Sequence, residues 1–490
     1  MLISFSVENF RSFRDRVVLR MDASADSELI DVVRKDLPGL PATFRGMLTV
    51  ASIHGANASG KSNLVKAIRL LDSLVYMAMR FPDGLIPDDY PVHLSPTRLI
   101  DSFRLDAQST QAPTKLEILF LLNGTRWAYG LVLDSTKIHS EWLDYWPEGR
   151  RVEVFARGLA VDDKKEVFLL DRIETEEVPA TGRHAGTNRP SPKADPQQWH
   201  KGLAESATPQ QECWTWGNEF EKGVSEGQAL AGRTRPEVPF LSVAASWNHP
   251  QASQVVLWFG RLNVIDAMAQ SVRPWENVSR ACEADKNVHK WIEAWMRAAD
   301  LGIAAIEIEK TDERVDSLAG VGTGSRQRFQ PKVIHLAADG RPVAFDMQQE
   351  SHGTNRLFAM ALTLYRTLQS GGVYVVDELH TGLHPLLLRA LVKIFQSPER
   401  NPLNAQLIFT THDVSVLDNS LLRRDQIHIV EKTASGASDL YSLSECDDKP
   451  RKDSPLIKYY LSGHLGGVPD LDLDAAFPLQ DSPIEASGTG

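Results

Sequence analysis

Gly55, Gly60, Lys61 and Ser62, within IHGANASGKSNL (53–64), fit the spacing G-x-x-x-x-G-K-[ST]. That combination suits polyphosphate chemistry. Water solvates a polyphosphate well, so a protein competing for it must present many donors at once, and glycines let successive backbone N–H groups crowd inward. The loop Gly55, Ala56, Asn57, Ala58, Ser59, Gly60, Lys61, Ser62 and Asn63 is therefore expected to cradle phosphate. Lys61 would reach the β- and γ-phosphates, and the Ser62 hydroxyl would sit on Mg²⁺. A helix opening near Lys61 would aim its positive end at the anion.

Three further stretches carry matching chemistry. GGVYVVDELH (371–380) is an apolar run that ends in Asp377 and Glu378, suited respectively to holding a Mg²⁺ shell and polarising an attacking water. NAQLIFTTHDVSVL (404–417) is a second apolar run, ending in Thr410, Thr411, His412 and Asp413, which suits His412 to sensing a γ-phosphate from the strand's carboxyl end. In MQQESHGTNRLFAMALTLYRTL (347–368), the small turn Ser351-His352-Gly353-Thr354 precedes a helical pattern with Leu357, Ala361, Leu364 and Leu368 on one side. That is a second anion-receiving helix start. One site does not need two of them so far apart, unless Ser351 and Gly353 serve a nucleotide held by another subunit.

These residues need a frame. MLTVASI (47–53) reads as a buried strand, and NLVKAIRLLDSLVYMAM (63–79) has helix-period apolar residues at Leu64, Ile68, Leu71, Leu74 and Val75, so strand, loop and helix follow in the required order. Residues 115–172 read as β, with a hairpin turned at Asn123-Gly124. Residues 176–236 are polar and rich in Pro, Gly and Gln, the composition of a mobile loop. From 250 to 300 the pattern turns helical, with Trp258, Phe259, Ile265, Met268, Trp291 and Trp295 as its packed face. SLAGVGTGSRQR (317–328) reads as a flexible loop whose Arg326 and Arg328 are candidates for a weak DNA or RNA contact, ahead of a hairpin at Asp339-Gly340. No sustained heptads occur between Ser62 and Ser351, so a globular insertion replaces a coiled-coil rod. The expected organisation is 1–175, a lobe with the phosphate loop and a β extension; 176–237, a polar loop; 238–312, a helical insertion; 313–465, a second lobe; and 466–490, a disordered acidic tail. The fold class is α/β.

Composition excludes several alternatives. The chain has 490 residues, 42% hydrophobic and 24% charged, which is ordinary for a soluble protein of two or three domains. It offers no apolar segment near the ~20 residues of a membrane span, and its N-terminus is not a secretory signal, so a cytoplasmic protein is expected. Cys213, Cys282 and Cys446 are far apart and read as buried thiols. The net charge of -11 argues against a general nucleic-acid coat, although Arg11, Arg14, Arg16 and Arg20 form a local basic set that is either a phosphate contact or a solvated strand edge.

The order of these elements, opened by ISFSVENFRSFRD (3–15), resembles the P-loop ABC-class ATPase heads of the SMC, RecF and OLD proteins. ESHGTNRLFAMA, VVDELHTGLHPLLLRALVKIFQSPERNPLNAQLIFTTHD and LLRRDQIHIVEKTASGASDLYSLSE resemble the AAA-type ATPases RloA and AbiL of phage-defence loci, with the PARIS defence ATPase closely similar. The resemblance implies ATP and Mg²⁺ as cofactors and a homodimer or higher homo-oligomer. Gly60, Lys61 and Ser62 would bind phosphate and Mg²⁺, Ser351 and Gly353 form the trans signature, Asp377 and Glu378 the Walker B pair, and His412 the switch. It also implies an ATPase that senses infection, with a phage protein as trigger, and controls an adjacent-gene effector, a TOPRIM nuclease. Three departures stand out. The signature reads S-H-G-T, His384 stands where SMC-type heads commonly carry Asp, and no glutamine loop is evident, Gln108 and Gln111 reading better as a solvated turn. PDLDLDA (469–475) raises the alternative of a compact OLD-like nuclease, but too little chain follows His412 for a TOPRIM core of about 100 residues. A RecF/SMC-like DNA-repair ATPase is the other alternative.

Overall fold

In the computed structural model, residues 1–80, 100–158, 213–217, 220, 227–265, 275–299, 302–316, 323–446 and 455–469 are described. The strands are β1 (Leu2–Glu8), β2 (Val17–Arg20), β3 (Val50–His54), β4 (Thr114–Leu122), β5 (Thr125–Leu133), β6 (Ile138–Trp146), β7 (Val152–Gly158), β8 (Cys213–Trp216), β9 (Leu262–Ile265), β10 (Ile303–Asp316), β11 (Thr323–Leu336), β12 (Pro342–Asp346), β13 (Val373–Val376), β14 (Gln406–Thr410), β15 (Ile427–Lys432) and β16 (Ser438–Ser442). The helices are α1 (Lys61–Arg80), α2 (Ala107–Gln111), α3 (Gly227–Arg233), α4 (Phe240–Ser246), α5 (Pro250–Phe259), α6 (Glu276–Ala284), α7 (Lys286–Ala298), α8 (His352–Ser370), α9 (Pro385–Gln396) and α10 (Leu456–Leu461).

The site is carried by a six-stranded sheet in the order β16-β15-β3-β14-β13-β9, parallel throughout except for the antiparallel pair β15–β16. Its central strands are apolar at every other position on both faces, as a sheet covered on two sides requires. Ala51, Ile53, Val375 and Ile408 join a core with Leu64, Ile68 and Leu71 of α1 and Val255 and Phe259 of α5. Val50, Tyr374, Val376, Leu407 and Phe409 turn the other way, into a core with Ile292 of α7, Leu357 and Leu364 of α8 and Leu388 of α9. The result is a mixed α/β fold in layers, and among the described residues there is no long coiled coil. No described helix is long and apolar enough to cross a membrane.

A seven-stranded antiparallel sheet, β2-β1-β4-β5-β6-β7-β8, lies against the first core. Its β4–β5 turn is the expected hairpin: Asn123 and Gly124 have φ of 50° and 70°, which matches the right-handed twist of the strands it joins. A third sheet, β10-β11-β12, is a long antiparallel ribbon whose second turn carries Asp339-Gly340.

Several expectations are corrected. Residues 262–265 were expected helical and instead form β9, pairing in parallel with β13, so Ile265 is a strand residue; Met268 lies outside the described residues. Periodicity cannot decide a four-residue apolar run, and pairing does. Residues 323–328, expected in a flexible loop, lie in β11, where Arg326 and Arg328 oppose Glu313 and Thr311 of β10. Of the expected loop 176–237, residues 176–212 lie outside the described residues, and the remainder includes β8 and α3. The tail was expected disordered from 466, yet Gly466 and Gly467 are packed; residues 470–490, with the acidic run, lie outside the described residues. Cys282 is buried, with its thiol pushed up to about 12 by desolvation, whereas Cys446 is half-buried. Gln108 and Gln111 are exposed on α2.

Candidate active site

The carboxyl ends of β3, β13 and β14 point to one edge of the parallel sheet, and the loops that leave them converge there, the usual ligand position in open α/β sheets. Leaving β3, the chain makes the loop 55–60 with φ of 155° at Gly55, 60° at Ala58 and 119° at Gly60. Glycine is required twice. A Cβ on Gly55 would run into the Val430 carbonyl, and one on Gly60 into the hydroxyls of Ser438 and Ser12. The loop is braced from behind. Asn63 donates to the Ser12 hydroxyl at 2.8 Å, the Ser438 N–H to the Ser12 carbonyl at 2.7 Å, and the Ser438 hydroxyl to the Ser59 carbonyl. Asn57 and Ala58 are exposed at its crest, Ala56, Ser62 and Asn63 are half-buried, and α1 starts at Lys61.

Lys61 is buried, with its ammonium 3.0 Å from the carbonyls of Gly55 and Ala56 and 3.1 Å from His412 Nε2. Desolvation lowers its pKa, partly offset by the fields of Glu378 and Asp377. A buried ammonium surrounded by neutral acceptors is a fit for a polyphosphate anion, which would restore the ion pairing that burial removes.

Asp377 follows β13 and is buried; its N–H donates to the Ile265 carbonyl at 3.0 Å, and Thr410 donates its hydroxyl to Oδ1 at 2.6 Å. The Glu378 N–H then donates to that same Thr410 oxygen at 2.7 Å, and Arg356 of α8 donates to the Glu378 carbonyl at 2.6 Å. These bonds hold Glu378 at φ 51°, in the left-handed region that a residue with a side chain adopts only under constraint. Its carboxylate lies between two imidazoles, His412 and His380, each 3.5 Å away. Desolvation is the leading cause that lowers the pKa of both rings.

The S-H-G-T turn starts α8 as its sequence pattern implied. Ser351 is the N-cap, accepting the Thr354 N–H at 3.1 Å and pairing with the Thr354 hydroxyl at 2.8 Å. Gly353 abuts the turn after Glu378, because a Cβ there would meet the Gly382 carbonyl. Among the described residues no hydrogen bond joins Ser351 or Gly353 to Lys61, Ser62 or Asp377. His384 caps α9, its Nδ1 accepting the Leu386 N–H at 3.2 Å. In the basic set, Arg14 pairs with Asp15 at 2.9 Å, Arg16 with Glu117 at 2.8 Å and Arg20 with Asp22 at 2.7 Å, so these three are neutralised in place.

Sequence reasoning missed His380, Arg356 and the bridging role of Thr410. Only His380 had a readable signal, as an imidazole three residues beyond Asp377 in the same loop. Arg356 looks like an ordinary helix residue until α8 is packed.

The family described as "AAA domain, putative AbiEii toxin, Type IV TA system" matches residues 50–212 and 275–418, more than half the chain. No curated protein matches. Among solved structures, the chain is similar to an SMC head domain from Thermotoga maritima, at 14% identity, covering 90% of this chain and 98% of that one with a TM-score of 0.34. It is also similar to an SMC head with an extended coiled coil bound to the C-terminal domain of ScpA from Pyrococcus furiosus, at 12% identity, covering 90% and 96% with a TM-score of 0.34. At such scores these likenesses say nothing about substrates, partners or assembly.

Proposed function

The chain belongs to the AAA-domain family described as putative AbiEii toxin of type IV toxin–antitoxin systems, and from that premise we propose that it is an ATPase whose nucleotide cycle controls a separate effector in anti-phage defence. One observation carries the ATPase reading. Lys61 and His412, 351 residues apart, meet at 3.1 Å, and His412 lies 3.5 Å from Glu378, so three motifs converge on one point.

In this reading the backbone of Gly55 to Asn63 and the Lys61 ammonium bind the triphosphate of ATP. The Ser62 hydroxyl and the Asp377 carboxylate would hold Mg²⁺, which would supply charge neutralisation when bound. Glu378 takes up the proton of the attacking water or orients that water, and His412 meets the γ-phosphate side of the site. Ser351 and Gly353, bonded to none of these groups in their own chain, serve the nucleotide of a second copy. The effector class, a TOPRIM nuclease of the kind that accompanies RloA- and PARIS-type ATPases, rests on the sequence resemblance, as does the trigger, a phage protein.

The test separates binding from hydrolysis. Lys61→Ala is expected to lose ATP binding, because among the described residues no other ammonium is bonded into the loop. Glu378→Gln keeps the loop and is expected to bind ATP while turnover falls by ~10²-fold or more, the low end of what a positioned acid–base group contributes. Wild-type turnover in Glu378→Gln would remove Glu378 from the reaction.

A further inference from the structure

The two imidazoles beside Glu378 are not equivalent. His380 Nε2 lies 3.5 Å from Oε2 and His412 Nε2 lies 3.5 Å from Oε1, with ring centroids 5.7 Å apart and planes at 81°. His412 Nε2 also lies 3.1 Å from the Lys61 ammonium, which has only protons to offer. In the neutral ring that nitrogen is therefore the acceptor, and the proton resides on Nδ1. His380 is the reverse case. Its Nδ1 receives the backbone N–H of His412 at 3.4 Å, which places the proton of the neutral ring on Nε2, the atom that faces the carboxylate. Burial favours the neutral form of both rings.

The main chain of Glu378 is already fixed at φ 51° by Thr410 on its N–H and Arg356 on its carbonyl. What remains free is the direction of the side chain. We propose that His380 is the positioning residue that sets it: the His380 Nε2–H holds Oε2 and leaves Oε1 free to meet water. The contact is long, as catalytic hydrogen bonds often are before substrate arrives. His412 cannot do this while Lys61 occupies its Nε2. His380 is anchored by a backbone N–H rather than by Lys61, so its hold on the carboxylate persists when phosphate draws the lysine away. The pair thus divides the work, with one imidazole on the carboxylate and the other on the phosphate side. This inference rests on the reading of Glu378 as the residue that activates water.

Three variants test it by ATPase kinetics, binding of a fluorescent ATP analogue and melting temperature. His380→Ala is expected to lower kcat roughly tenfold or more, short of the ~10²-fold that a misplacement of about 1 Å can cost, with KM and analogue affinity unchanged. His380→Gln, whose amide nitrogen reaches the place of Nε2, is expected to restore most of that loss. His380→Asn, whose amide reaches only the place of Nδ1, is expected to behave like His380→Ala. Wild-type kcat in His380→Ala overturns the proposal, and so does a loss of analogue binding or melting temperature shared by all three variants, which would make the role structural. Glu378→Gln is measured alongside. If it is inactive while His380→Ala turns over normally, only the positioning role fails; if it turns over normally, the reading of Glu378 fails.

Discussion

His428 and His54 are fully buried in strands next to the loop 55–60, and each is kept neutral at the cost of its basicity. Desolvation is the leading cause, lowering His428 to about 4 and His54 to about 3 from an ordinary 6.5. The sign follows from linkage. Below pH 6.5 the unfolded chain takes up protons that the native protein refuses, so the stability these groups contribute is complete above 6.5. It is lost as pH falls from 6.5 toward 4, at about 1.4 kcal/mol per pH unit for each histidine. The part of the urea midpoint that these two rings supply should therefore be lost between pH 6.5 and 5. The midpoint of His428→Gln should fall less than that of wild type over this range, and an equal pH dependence of the two proteins would show that the His428 ring is not buried neutral. Nothing in the sequence announced this behaviour, since a histidine in HIV or SIH looks the same buried or exposed. The conformation of the loop 55–60 was legible for the opposite reason: Gly55 and Gly60 stand where the backbone turns to positive φ and a Cβ would clash, and few other demands place them in that spacing ahead of a helix.

Among elements, α8 is the one whose placement matters most beyond its own core. Its sequence gave away the apolar face, since Leu357, Ala361 and Leu364 are all buried at helical spacing. It did not reveal that the first turn would sit against the loop after β13, with Gly353 facing the Gly382 carbonyl and Arg356 on Glu378. Two glycine substitutions separate these effects. Gly353→Ala gains up to ~1 kcal/mol of helix propensity but forces a methyl group into backbone, an overpacking cost of about 1–3 kcal/mol. The clash wins because the atom met is a backbone carbonyl oxygen rather than the end of a flexible side chain. A melting temperature lower by a few degrees, with lowered ATPase activity, is expected. Gly232→Ala on α3 is the control, because a Cβ there meets nothing within 4 Å. It should leave the melting temperature unchanged or raise it. Equal melting temperatures for Gly353→Ala and wild type would show that the turn after Glu378 yields. The short strand β9 teaches the complementary lesson: LNVI has no periodicity to read, and its identity comes from pairing with β13, more than a hundred residues on.

At the scale of the whole molecule, the proposal that Ser351 and Gly353 serve a second copy has a direct consequence for mixtures. Protein carrying Lys61→Ala and protein carrying Ser351→Arg should each be inactive alone, and mixing them should restore part of the activity, because one composite site of the mixed dimer is intact. ATPase activity of the wild type should likewise rise with protein concentration until assembly saturates. The absence of recovery in mixtures shown to exchange subunits would favour a site complete in one chain. The rear of that site has a consequence of another kind. The Tyr460 hydroxyl donates to the Gly467 carbonyl at 3.0 Å, the Tyr441 hydroxyl to the Leu465 carbonyl at 3.0 Å, and Gly467 backs directly onto Gly55 and Ile429. β3 likewise finds its neighbours only in β14 and β15. At synthesis rates of ~5–20 residues per second, the loop emerges from the ribosome roughly 20–80 s before the segment that closes behind it. Throughout that interval a nascent chain displays the loop without its backing, so the nucleotide capture proposed for this loop would be among the last properties the growing polypeptide acquires.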